Sequence, residues 1–436
     1  MKNDLQALGF AVALAASGCT LLGPSARDEG APCALGPIDF ERVDSAPGSV
    51  VGFIRVDGEN LVTASGARFF IRGVNLGNWL NPEGYMFGFG PCDSPHFIDR
   101  ALREMVGDEV TDEFWRRFKD NYVTEEDIAF IASTGANTVR LPFHYKLFTD
   151  EDYLGLSSDQ DGFRRLDDVV RWCRAHGLKV ILDMHDCPGG QTGDNIDDSH
   201  GYPWLFESEK MQRLYCDIWR RVAARYADDD TVLGYDLMNE PISSRLPDME
   251  EINKSLERVQ FRAIDAIREV DRNHIVMLDG AQWNNNFEPF SDFGKDPNML
   301  YTCHRYWTEP GCIADYTAFR ARSGRPLYMG ETGHNTYAWY RAFTATMERN
   351  NIGWTYWPHK MPGRGGWLGF EKPADWDLVV KFAKADRSSY AKIQAARPDR
   401  ARAAQALMEF AENCKFSNCT VDVLYLEAIG LNEEAR

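Results

Sequence analysis

Two glutamates stand where an apolar run gives way to a turn. Glu240 follows Leu237-Met238-Asn239 and precedes Pro241, and Glu331 follows an apolar run and precedes Thr332-Gly333. Proline cannot donate a ladder hydrogen bond, so the strand should end there and leave Glu240 at its rim. The two acids are far apart in the chain, so only the fold can bring them together. Two carboxyl groups roughly 5 Å apart can carry out double displacement at an acetal carbon with retained configuration. One of them has to remain protonated near neutral pH, so burial or a charged neighbour has to raise its pKa.

The elements that must position this pair are eight short, mostly β-branched and apolar runs, at 69–75, 137–142, 179–185, 234–239, 275–279, 299–306, 326–331 and 353–357. Continuous apolar character is expected of parallel strands buried on both faces. Helical patterns lie between them, at 125–133, 166–176, 209–226, 251–270 and 337–350. The alternation predicts an α/β fold, a (β/α)8 TIM barrel. A hairpin around Asp57-Gly58 should precede it as a lid under the barrel, and helices at 375–385 and 401–413 should follow it. A doubly wound open sheet is the other arrangement, and the absence of a glycine-rich phosphate loop after the first strand speaks against it. Barrel enzymes draw their chemistry from the C-terminal ends of strands. Here those ends carry Asn75, Arg140 and His144, His185, Asn239-Glu240, His304 and Tyr306, Glu331 and Trp357.

The formal net charge of −18 argues against a nucleic-acid partner, which needs a basic footprint, and is compatible with a neutral substrate. Aromatic residues make up 12%, more than a core alone tends to use, and exposed rings suit the apolar faces of sugars. Leu5 to Ala16 is apolar but too short to span a bilayer. It ends in Ala16-Ser17-Gly18-Cys19, which resembles a bacterial lipoprotein cleavage box. The expected organisation is a signal peptide over 1–19 with Cys19 lipidated, a tether over 20–49, and one catalytic domain over 50–436. The corresponding location is the bacterial cell envelope, periplasmic or outer-membrane anchored. Export permits disulfides, and among the 10 cysteines the local pairs are Cys303 with Cys312 and Cys414 with Cys419. No metal site and no cofactor are expected. Asp194, Asp197 and Asp198 fit no EF-hand spacing and read as a solvated acidic loop.

Six ordered segments, Gly73-Val74-Asn75-Leu76-Gly77-Asn78-Trp79-Leu80, Asn137-Thr138-Val139-Arg140-Leu141-Pro142, Asp183-Met184-His185, Met238-Asn239-Glu240-Pro241, His304-Arg305-Tyr306 and Gly330-Glu331-Thr332-Gly333, together resemble glycoside hydrolase family 5, the cellulase family. The resemblance implies a retaining glycosidase with Glu240 as acid/base and Glu331 as nucleophile. It further implies that Asn239 holds the 2-hydroxyl and that Arg140 holds Glu331 ionised. His185, His304 and Tyr306 would bind hydroxyls or tune the carboxylates, and Trp357 would stack beneath the sugar. Trp79-Leu80-Asn81-Pro82-Glu83 and the segment from His185 to Gln191 are similar to fungal exo-β-1,3-glucanases, in which the residue matching Glu83 grips a terminal glucose. The expected partner is therefore a β-linked polysaccharide or oligosaccharide, met by a monomer that touches a membrane only through its lipid anchor. Mannan, xylan and glycolipid cleavage remain open with the same machinery, as does a non-catalytic sugar-binding lipoprotein. Glycolipid cleavage would favour apolar loops around residues 85–89.

Overall fold

The computed structural model describes residues 50–90, 92–155 and 159–431, so the expected signal peptide with Cys19 and the whole of the expected tether lie outside the described residues. The chain enters through a small antiparallel sheet, β1 (Arg55–Asp57), β2 (Asn60–Val62) and β3 (Arg68–Phe69). The predicted hairpin is its first two strands. Eight parallel strands then close into a barrel, namely β4 (Arg72–Asn75), β5 (Thr138–His144), β6 (Lys179–Asp186), β7 (Val232–Asp236), β8 (Ile275–Asp279), β9 (Met299–His304), β10 (Leu327–Glu331) and β11 (Gly353–Tyr356). A third sheet joins β12 (Lys360–Pro362), β13 (Leu368–Phe370) and β14 (Thr420–Val421).

The barrel follows from the sequence as parallel-sheet physics requires. All of β5, β6, β7, β8, β9 and β10 are buried along their whole length, and each carries the apolar run that burial on both faces demands. At the N-terminal end, Ile54, Leu61 and Phe69 of the entry sheet pack with Ile71, Ile181, Leu233, Ile275, Met277, Leu300 and Tyr328, which plugs the barrel from below. Register sets the site above. Asn75 pairs with Arg140, and His304 pairs with Glu331.

Two sequence-based expectations, the disulfides and the solvated acidic loop, are corrected here, and two helices are added to those read from the sequence. Residues 76–136 hold more than a connection, because helices Pro95–Val106 and Asp108–Tyr122 stand before the expected Glu125–Ser133. The C-terminal helices Trp376–Ala383 and Arg400–Asn413 pack on this insertion. Trp376 stacks on Phe410 at 4.3 Å between centroids, and Phe87 and Phe89 join them. Neither expected disulfide forms, and all eight described cysteines are free. Cys303 is sealed in the barrel wall with its thiol turned to the Tyr328 carbonyl at 3.4 Å, while Cys312 is exposed. The Cys414 and Cys419 thiols each turn back to their own chain, at Ala411 and Lys415. Closeness in sequence does not supply the converging Cβ vectors that a bridge needs. The acidic loop is not solvated either. Asp197 and Asp198 are buried, as described below.

Candidate active site

The floor of the barrel mouth is organised by one guanidinium. Arg140 is wholly buried on β5 and donates to Asp236 Oδ2 at 2.7 Å, Glu331 Oε1 at 2.8 Å, Asn239 Oδ1 at 2.9 Å and Asn75 Oδ1 at 3.1 Å. It also lies 3.1 Å from Asp183. A planar fork with five donors is the side chain suited to hold so many acceptors in fixed directions. Burial pushes the Asp183 carboxyl up to about 7 against the pull of Arg140.

Glu331 ends β10 with both oxygens engaged. Oε1 accepts from Arg140, and Oε2 accepts from the Tyr306 hydroxyl at 2.7 Å. Two donors aimed at the two oxygens fix the direction of this carboxyl group. His185 and His304 approach it at 4.0 and 3.8 Å. Burial holds both imidazoles down, to about 4 and about 3, so each is neutral at pH 7. The Nδ1–H of His185 donates to Asp183 at 2.7 Å, and its Nε2 accepts from the Asn239 amide at 3.2 Å. Asn239 is thereby fixed with its oxygen on Arg140, leaving its second amide hydrogen for a ligand.

Glu240 lies beyond the observed end of β7, in a left-handed conformation with φ 48°. Its Oε1 is 2.8 Å from His304 Nδ1. Burial raises the carboxyl to about 7, over the opposing influence of His185 and Arg140. The mouth thus holds one acid with a single histidine contact and one acid with charged and hydroxyl donors. One oxygen of Glu240, one of Glu331 and one His304 nitrogen all lie within 4.8 Å of one another. The space behind His304 is tight. A Cβ at Gly330 would stand 2.8 Å from Nε2, so no larger residue fits before Glu331.

The rim on the β4 side carries Glu83 and Trp357. Trp357 stacks on His185 at 5.3 Å and 13°, and its indole donates to the Tyr85 hydroxyl at 2.7 Å. Asn78 donates to the same hydroxyl at 2.7 Å. Trp357 is only 2% exposed, and the His185 stack lies against one face of its ring. Glu83 is nine-tenths buried. Burial first, then the negative charges of Glu331 and Glu240, raise its carboxyl well above the usual range. All the expected site residues among the described ones, Glu83, Arg140, His185, Asn239, Glu240, His304, Tyr306, Glu331 and Trp357, therefore converge on one mouth.

Other residues here were not anticipated. Asn78, Tyr85, Asp183 and Asp236 hold the expected ones in place, and for Asp183 and Asp236 the signal was a charged residue inside an apolar strand. Asp198 draws three segments together, contacting His96 at 2.5 Å, His144 at 3.1 Å and Lys146 at 3.4 Å. Asp197 accepts backbone N–H bonds from Thr192, Gly193 and Ser199. These carboxylates staple the loop after β6. Met86, Phe87 and Phe89 are buried inside the wall, so the expected apolar loop offers little to the mouth. Among the described residues, the group whose donors could hold a metal ion is Glu240, His304 and Glu331 themselves.

Comparison with known proteins agrees with this geometry. Residues 104–361 match the family model Cellulase (glycosyl hydrolase family 5). The chain is 33% identical over 258 residues to a β-xylosidase of Phanerodontia chrysosporium, which covers 59% of this chain and 52% of the relative. It is 31% identical over 239 residues to endoglucanase C of Acetivibrio thermocellus, covering 54% and 57%. It is 36% identical over 182 residues to a probable glucan 1,3-β-glucosidase A of Emericella nidulans, covering 39% and 42%. The chain thus spans about half the length of the curated relatives it matches. With the matched segment reaching from the helix before the mouth to β12 and enclosing both glutamates, the chain belongs to the cellulase family, glycosyl hydrolase family 5.

Proposed function

We propose that this protein is a retaining β-glycoside hydrolase acting on β-glucans or their oligosaccharides. The observation that carries the proposal is the 4.8 Å limit on the Glu240, Glu331 and His304 donor atoms. Carboxyl groups about 5–5.5 Å apart serve double displacement, whereas inverting enzymes need about 6.5–9.5 Å to admit a water.

In the first step a Glu331 oxygen attacks the anomeric carbon, the glycosidic bond breaks, and the leaving oxygen takes the Glu240 proton. In the second step Glu240, now a carboxylate, accepts a proton from water as the water oxygen attacks the same carbon and displaces Glu331. The raised Glu240 carboxyl suits the first step near neutral pH. Asn239, fixed by Arg140 and His185, offers its free amide hydrogen to the 2-hydroxyl. Glu83, with no hydrogen bond or ion pair to its carboxylate among the described residues, is available to grip the hydroxyls of a terminal sugar. The glucanase and glucosidase names of two relatives support a glucan. The likeness to a β-xylosidase makes xylo-oligosaccharides the second substrate to test.

Proton NMR of a fresh digest tests the mechanism. The β-anomer should appear first, and an α-anomer appearing first would overturn double displacement. A panel of β-1,3-, β-1,4- and mixed-linkage glucans, mannan, xylan and glycolipid tests the substrate, with glucan turnover expected to be fastest. The proposal extends to attachment at the bacterial cell envelope through a lipid on Cys19. Metabolic labelling with an alkyne fatty acid should mark the wild type but not Cys19→Ala, and equal labelling of both would refute it.

A further inference from the structure

Glu240 sits in a stretch of chain that does not hold itself. Its own φ is 48° and that of Ile242 is 59°, both in the left-handed region that side chains disfavour. Such a conformation persists only where its surroundings over-determine it. The surroundings can be counted. Every carbonyl from Asn239 to Ile242 accepts a hydrogen bond, and they come from two sides. The loop after β6 supplies the Gln191 amide to Asn239 at 2.7 Å and the Thr192 hydroxyl to Glu240 at 2.7 Å. The turn after β8 supplies Trp283 N–H to Pro241 at 3.4 Å and Gln282 N–H to Ile242 at 3.0 Å.

That second turn is itself unusual. Gln282, Trp283 and Asn284 have φ of 51°, 57° and 60°, three non-glycine residues in succession in the left-handed region. One buried carboxylate holds both the turn and the strand end. Asp279, the last residue of β8, accepts from the Asn284 amide through Oδ1 at 2.7 Å and from Met238 N–H through Oδ2 at 3.2 Å. Its own backbone is locked to the Gln260 side chain, with Gln260 donating to Asp279 O at 2.8 Å and accepting from Asp279 N–H at 2.9 Å. Met238 lies two residues before Glu240, and the turn grips the two residues after it.

We propose that Asp279 and the left-handed turn Gln282–Asn284 are the positioning device for Glu240, fixing the carboxyl at the distance from Glu331 that its proton transfers need. Asp279 touches no substrate. It acts through the backbone on either side of the acid/base, so the inference rests on the reading of Glu240 given above. Glu331 is held instead by Arg140 of β5 and by Tyr306 just past β9, neither of which Asp279 hydrogen-bonds.

The test separates the two glutamates. Asp279→Asn puts a donor where Met238 N–H or the Asn284 amide needs an acceptor. On unactivated β-glucan oligosaccharides kcat/KM should fall about 10²-fold, the effect of roughly 1 Å of misplacement. On a 2,4-dinitrophenyl β-glycoside, whose leaving group needs no proton, kcat/KM should stay within about threefold while kcat falls, because the second step still needs Glu240 as base. Azide, which attacks without a base, should restore that kcat. Equal losses in kcat/KM on both substrates with no azide response would overturn the proposal. Asn284→Gly is the second variant. Glycine accepts the left-handed backbone, so only the amide that holds Asp279 is lost. It should give the same split in weaker form, and an unsplit loss or no change would count against the proposal even if Asp279→Asn does not fold. A wild-type protein inactive on both substrates would instead sink the reading of Glu240 beneath it.

Discussion

The two ends of this barrel use the same strands and reach opposite chemistries. At the floor, Ile181, Ile275 and Leu300 meet the apolar plug, and two residues further along the same strands stand Asp183, Met277 and Thr302. Two more residues bring His185, Asp279 and His304. Side chains two apart in a strand share a face, so each strand climbs from a hydrocarbon layer to a titratable one without turning. Both ends are equally buried, which means that burial does not distinguish them. They differ in how charge is balanced. The plug residues carry none to balance, whereas the mouth sets one guanidinium against Asp183, Asp236 and Glu331.

The largest effect that follows is at the mouth. Glu331→Ala should lower kcat by at least about 10⁴-fold on every β-glycoside tested, because no other group can form the covalent intermediate. Turnover that survives on a good substrate would remove Glu331 from that role. Arg140→Ala is expected next, and it should strike stability and activity together. It leaves two buried aspartates and the nucleophile without their cation, a loss of about 3–5 kcal/mol for breaking a buried charge network. Denaturant titration measures this, and a change under about 1 kcal/mol would show that the carboxyls had simply taken up protons. At the floor, Ile275→Val removes one methylene from the plug. It should cost about 0.5–1.5 kcal/mol and leave kcat of the folded protein unchanged. A fall in kcat would mean that the two ends are coupled, contrary to the comparison.

The floor was legible in the sequence, and the mouth only in part. All eight strands were recoverable because a run buried on both faces has to be apolar along its length. The ends were less clear. The strand before Glu240 stops at Asp236, earlier than its apolar continuation to Met238 implies, because Leu237-Met238 lead into the left-handed stretch. That Glu240, Glu331 and their immediate partners meet at one end could be read because strand ends are few and their chemistry is specific. Asp198 could not be found. Its partners His96, His144 and Lys146 belong to a helix, a strand end and the turn after it, far away in sequence, so its burial is a property of the assembled mouth, and an acidic cluster reads as solvated until those elements are in place. The disulfide expectation failed for the same reason, since bond directions are set by the fold.

The smallest effect is also the most specific test of the contrast between the ends, because it asks for a dependence on pH at one and not at the other. Burial raises the Glu240 carboxyl to about 7 from an ordinary 4.5, so the folded protein binds that proton more tightly than the unfolded chain. The stabilisation is fully present below about pH 4.5 and is lost as pH rises through about 7. Glu240→Gln keeps the shape and cannot ionise. Its stability relative to the wild type should therefore climb between about pH 4.5 and 7 and level off above, while the offset caused by Ile275→Val stays flat over the same range. Wild-type kcat/KM should fall along its alkaline limb near the same pH 7, as the acid needed in the first step is lost. Urea titrations of the three proteins from pH 4 to 9 supply the stability curves. A Glu240→Gln difference as flat as that of the floor variant would mean that the carboxyl at the mouth is not held protonated by its burial, and the acid role would then need another residue.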